Sequence, residues 1–173
     1  ADLHRLAEDR AVYTALLTPQ GKYLFDFHVS LAPAEDAAPG GESAASGEQA
    51  LLLETAAARL PDLERRLMLY RLRAAVTIEA LPEPPTVAIL FGGDAPGACG
   101  LPASPGAMRH EGGVTFMVDP RLVDFGVRVY GPVAAIEAWL SACDIATATP
   151  ADFEAHRIAL AVPAGGVDLL VDK

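Results

Sequence analysis

Residues 11–31, AVYTALLT PQG KYLFDFHVSL, decide the fold class. Residues 11–18 and 22–31 are two runs of β-branched, aromatic and aliphatic side chains. Between them Pro19-Gln20-Gly21 supplies a fixed φ and then a residue that tolerates positive φ. In the second run Tyr23, Phe25 and Phe27 alternate with Leu24, Asp26 and His28, the period of a strand with two distinct faces. The pair predicts a β-hairpin.

Outward from this hairpin the pattern is mixed. Residues 2–9 (DLHRLAED) read as the tail of a helix, with Leu3 and Leu6 on one side. Residues 33–47 contain no Leu, Ile, Val or aromatic residue and read as an exposed loop. A strand resumes at 49–53, and Leu60, Leu63, Leu67 and Tyr70 recur at helical spacing, predicting a helix over 56–72 with Pro61 in its first turn. Residues 75–79 (AVTIE) read as another strand, and Pro82, Pro84 and Pro85 form a stiff joint. Strands are then expected at 86–91, 114–118 and 127–130, with a long Gly/Pro/Ala loop over 92–113. Gly131-Pro132 opens a helix striped with Ile136, Leu140 and Cys143 and widened by Trp139. A last helix, carrying Phe153, starts at the Thr149–Asp152 capping box and ends before Pro163. Strand-rich blocks punctuated by single helices predict an α+β fold, with antiparallel sheets covered by helices on one face. The two lobes fall at 1–82 and 83–173 and are expected to interweave.

Composition bounds the function. The 173 residues are 51% hydrophobic and 21% charged, enough for a buried core, and wholesale disorder is excluded. A net charge of -10 argues against nucleic acid as a direct partner. No apolar run approaches the roughly 20 residues of a membrane span. Cys99 and Cys143, without a CxxC, are too few for a disulfide framework or a zinc knuckle. They suit a reducing compartment, the cytoplasm or, in a eukaryote, the mitochondrial matrix. His4, His28, His110 and His156 are scattered without ligand spacing, so no metal site is expected. The sequence holds no GxGxxG after a strand, no GxxxxGK[ST], no HExxH and no GxSxG. It opens on Ala1 and directly in helix-like sequence, as expected of a chain that begins after its natural start and stops before its natural end.

Four stretches carry a resemblance. They are residues 16–26 (LLTPQGKYLFD), residues 66–76 (RLMLYRLRAAV), Asp119-Pro120-Arg121 with Gly126-Val127-Arg128, and residues 156–160 (HRIAL) followed by residues 166–169 (GVDL). In order and separation they resemble the YgfZ/GcvT folate-binding superfamily, and its YgfZ branch more than the glycine-cleavage aminomethyltransferases. The resemblance implies α+β lobes around a folate pocket, with tetrahydrofolate or a derivative as the cofactor. It also implies help in assembling or repairing iron–sulfur clusters in client proteins, so the partners are folate and those iron–sulfur clients. The family's Lys-Gly-Cys-Tyr-x-Gly-Gln-Glu loop is expected a few dozen residues beyond the fourth stretch. Neither Cys99 nor Cys143 has those neighbours.

The resemblance points to Asp26, Tyr70, Arg71 and Arg157 as folate-binding candidates. Asp26 matches a strand in which the aminomethyltransferases carry an acidic residue facing the folate; alternation alone equally places it on a solvent face. Tyr70 and Arg71 lie in the segment 59–73, which holds five of the 13 basic residues (Arg59, Arg65, Arg66, Arg71, Arg73). Arginines suit folate carboxylates, but a solvated helix also gathers cations near its C-terminal end. Arg121, Arg128 and Arg157 read first as structural partners of Asp119, Asp124 or Asp168. The alternative function is an aminomethyltransferase that passes a one-carbon unit to tetrahydrofolate, with Asp26 beside the folate amine. Against it, Phe25 stands where that branch carries a second acid, and Leu160-Ala161-Val162-Pro163 where it carries Leu-Glu-Ala-Gly. Whether the chain is an enzyme stays open at this stage, and an interaction module without a small ligand is the third reading.

Overall fold

The computed structural model describes residues 3–32, 50–143 and 145–171. The loop expected at 33–47 lies outside them. The hairpin forms from β1 (Val12–Leu17) and β2 (Tyr23–Leu31), and β3 (Leu51–Glu54) pairs with the other edge of β2. All three strands are antiparallel. One face of this sheet is apolar. Phe25, Phe27 and Val29 cluster there with Leu63 of α1 (Leu60–Arg71), with Leu67, Val12 and Leu16 packed against them. Leu63 is 2% exposed, and burying such a side chain contributes about 2 kcal/mol. Pro61 sits in the first turn of α1, where its missing N–H costs no intrahelical bond.

The second sheet runs in the order β4-β7-β6-β5 and is also antiparallel throughout. Its strands are β4 (Thr86–Leu90), β5 (Met108–Glu111), β6 (Val114–Val118) and β7 (Val127–Gly131). Three helices accompany it: α2 (Ala95–Ala98), α3 (Val133–Ser141) and α4 (Pro150–Ala159). Alternation along β6 and β7 buries Phe116, Val118, Val127 and Val129 against Ile136 of α3 and Cys99 and Leu101 after α2. Trp139 joins this core, its ring meeting Phe116 edge-on at 4.9 Å. The Thr149 capping box forms with Asp152 on both hydrogen bonds, and α4 is tied down by Phe153 and His156 against Phe91 and Phe125.

The two remaining sheet faces meet. A small core of Ala11, Met108 and Met117, with Tyr130 against it, plugs one end of the junction. There the chain before β1 is stitched to β5 by Ala11 N–H to Gly106 O (2.8 Å) and Met108 N–H to Asp9 O (2.8 Å). Gly106 has φ +77°, and a β-carbon on it would overlap the Ala11 carbonyl oxygen, so this approach requires glycine.

Four expectations are corrected. Residues 75–79 form no strand; the segment is largely exposed, and its β propensity meets no partner strand among the described residues. The span 92–113 is not one loop, since it contains α2 and β5. The start is a single 3-10 turn at Leu3–Arg5, not the tail of an α-helix. The helix expected over 56–72 is divided, with a 3-10 turn at Ala57–Arg59 leading into α1. Among the described residues no helix is long and apolar enough to cross a membrane.

Candidate ligand site at the sheet junction

Cross-strand register sets which side chains share the inner face of the first sheet. Tyr13 pairs with His28, Ala15 with Asp26, and His28 with Glu54, so these residues point together toward the second sheet. Strict alternation would send Tyr23 to the opposite face, with Phe25 and Phe27. A bulge shifts the register between Leu16 and Leu17, so that Leu17 pairs with Tyr23, and the tyrosine joins Asp26. Asp26 therefore accepts two phenolic hydrogens: Tyr13 Oη donates to Oδ2 (2.5 Å) and Tyr23 Oη donates to Oδ1. Burial, and then the bond to Asp26, pushes Tyr13 above the usual phenol range and Tyr23 up to about 12. Both phenols remain donors at neutral pH. Arg59 stacks over Tyr23 (5.7 Å) and Phe25 (4.7 Å) and donates to the Leu24 carbonyl, which fixes the wall beside Tyr23.

The C-terminal segment closes over this group. A β-carbon at Gly165 would fall inside contact distance of Asp26 Oδ1 and the Tyr23 hydroxyl, and Gly166, at φ +81°, lies against Arg59. The turn carrying these glycines is anchored from α4. Arg157 donates to Asp168 Oδ2 (2.6 Å) and to Val162 O (2.6 Å), and the Ala164 N–H donates to the same Asp168 oxygen (2.9 Å). Glu154 forks onto Arg157 as well. Arg157 thus reaches the Asp26 group through a backbone turn, not by its own guanidinium.

Behind Asp26 the junction is charged. Tyr13 lies against the His28 ring (5.2 Å) and beneath the Arg121 guanidinium (4.9 Å). Arg121 forks onto Asp119 at 2.9 and 2.8 Å. Arg128 donates through Nε and Nη2 to Glu54, and the Tyr130 hydroxyl donates to the same carboxylate (2.6 Å). Burial alone would raise Glu54, but His28 and Arg128 outweigh it and hold the carboxyl at about 2. Burial likewise opposes the Asp119 charge, and the Arg121 fork outweighs it, keeping that carboxyl well below the usual range. His28 sits between these acids, Nδ1 3.4 Å from Glu54 and Nε2 3.6 Å from Asp119. Its Nε2 is a buried atom without a hydrogen-bond partner.

The candidates read from the sequence separate. Asp26 is half-buried at the centre of the group. Tyr70 and Arg71 are exposed at the end of α1, with Tyr70 beneath Arg66 (5.6 Å), and neither bonds to the Asp26 group. Arg121 and Arg157 hold Asp119 and Asp168 in ion pairs. Arg128 instead finds its main partner in Glu54, 74 residues away in sequence. Tyr13, Tyr23, Glu54 and Gly165 join the site without a site signal in the sequence; the phenols read only as strand residues, and the other two act through contacts distant in sequence. Cys99 is fully buried, and that burial pushes its thiol up to about 11, an unreactive setting. Among the described residues no group of three or more His, Cys, Asp or Glu is placed to hold a metal ion. Two clefts, of about 110 and 170 Å³, open on the surface; Tyr13 lines the smaller, and Asp26 lines neither. No protein-family model matches the chain, and no curated protein matches it in sequence.

Proposed function

We propose that the chain is a folate-binding protein of the YgfZ type, with two lobes of a GcvT-like fold, and that it assists iron–sulfur cluster assembly or repair in client enzymes. The observation that carries this reading is the closure of the Gly165 turn over Asp26. It brings the fourth family-like stretch onto the first, at a carboxylate held by two phenols. A carboxylate offers about four lone-pair sites, and two are taken here, so Asp26 retains capacity for N–H donors of a pterin ring. Tyr23 and the stacked Arg59 would border that ring. Tetrahydrofolate, when bound, supplies a one-carbon carrier. The chain's own residues bind and orient it.

Both clefts are smaller than the roughly 300 Å³ at which drug-sized pockets begin, so neither holds a whole folate. Asp26 is the anchor of the site in this reading, not its enclosure. The aminomethyltransferase alternative is less well supported, because Phe25, buried in the apolar cluster, stands where that branch carries a second acid. Calorimetric titration of tetrahydrofolate into the full-length protein tests the reading: saturable binding is expected. Removing one Asp26 oxygen with Asp26→Asn should weaken it about tenfold or more, the cost of a charge-assisted bond in a half-buried site. Absence of saturable heat from the unmodified protein overturns the reading. Undiminished binding by Asp26→Asn overturns the placement of the site.

A further inference from the structure

The smaller of the two clefts lies where the chain before β1 crosses the junction. Arg5, Arg10, Tyr13, Pro105 and Pro120 line it together with 11–12. No carboxylate is among these residues, although acidic residues outnumber basic ones by 23 to 13. Neither the Arg5 nor the Arg10 side chain makes an ion pair or hydrogen bond with a described residue. Arg109, Arg121, Arg128 and Arg157, in contrast, are each paired to an acid. Two guanidinium groups without a partner among the described residues, beside a concave wall, concentrate positive potential within an acidic molecule.

The cleft is also built firmly. The Arg10 backbone exchanges hydrogen bonds with Ala7 at 3.0 and 3.1 Å, and the next residue, Ala11, is bonded to Gly106 at 2.8 Å. The Tyr13 wall is held by Arg121 on its ring and by its own bond to Asp26. Pro105 and Pro120 add stiff backbone on the far side. A volume of about 110 Å³ admits a few waters, the size of one carboxylate or phosphate group and far short of a nucleotide.

We infer that this cleft is a binding site for a single oxyanion, a carboxylate or phosphate group, held between Arg5 and Arg10. The inference stands apart from the folate reading and uses none of that site's ligands except the Tyr13 ring as a wall. The test is a titration of 15N-labelled full-length protein with inorganic phosphate and, separately, with glutarate, read at the backbone amides of 10–13. Saturable shifts centred there are expected with at least one probe. A response to phosphate alone assigns a phosphate ligand, and a response to glutarate alone assigns a carboxylate; both support the site. Arg5→Gln and Arg10→Gln should each weaken binding about fivefold, a charged hydrogen bond discounted for solvent. Arg73→Gln, on the exposed segment after α1, should leave it unchanged. If Arg10→Gln fails to fold, Arg5→Gln on its exposed turn decides. Shifts that never saturate, or that survive in the folded variants, overturn the inference.

Discussion

The first sheet is held on its two sides by opposite physics. On one face Phe25, Phe27 and Val29 meet Leu63 through contacts that require only shape and the exclusion of water. On the other face Glu54 meets Arg128 and Tyr130 of the second sheet and His28 lies against Asp119, while Asp26 is held within its own sheet by Tyr13 and Tyr23. An apolar face tolerates sliding at modest cost. A buried ion cluster has one good arrangement, because any displacement leaves a charge without its counterion. The lesson is that the outer face holds the sheet by packing alone, while the inner face fixes how the two sheets are registered.

That contrast is open to attack from both sides. The largest effect should come from the apolar cores. Phe116→Ala, at a fully buried ring, should cost about 3–5 kcal/mol in denaturant unfolding, and a cost near zero would mean the second sheet is not packed as described. In the junction, Arg128→Leu takes from Glu54 its guanidinium partner and should cost about 3 kcal/mol, while Glu54→Leu added to it should recover a large part. Additive losses in that double variant would contradict the pairing.

Acid should act on the junction more than on the apolar faces. Glu54 and Asp119 titrate lower folded than unfolded, so below the ordinary carboxylate range the unfolded chain binds more protons. Their stabilisation is therefore complete above about pH 5 and is lost as the pH falls toward 2 and below. Melting temperature recorded across that window should drop, and Glu54→Gln should flatten part of the slope. The smallest effect belongs to a local cap: Thr149→Ala removes the side-chain acceptor for Asp152 N–H and should cost about 1 kcal/mol.

What the sequence disclosed follows the same division. The apolar faces were legible because period-two alternation and the spacing of Leu60, Leu63 and Leu67 are local signals. The hairpin, β3, α1, β4, β6, β7 and α3 rest on such signals, and α4 on its capping box. The inner face was not legible. The pairing of Arg128 with Glu54 spans 74 residues, and the bulge that turns Tyr23 toward Asp26 leaves no mark at Leu24. β5 was hidden by the charged sequence Arg109-His110-Glu111, yet it had a signal. Gly112-Gly113, with φ of +60° and +76°, is the two-residue turn that joins it to β6. Residues 75–79 show the reverse error, strand propensity with no strand beside it among the described residues.

The central claim is that Asp26, set by two phenols and roofed by Gly165, anchors a folate. The most direct measurement is calorimetric titration of tetrahydrofolate into the full-length protein, with Asp26→Asn and Gly165→Ala alongside. The account predicts saturable binding by the unmodified protein. It predicts weakening by both variants, because one removes the charge and one of the two acceptor oxygens and the other pushes the turn off the carboxylate. No binding by the unmodified protein, or equal binding by all three, would contradict it.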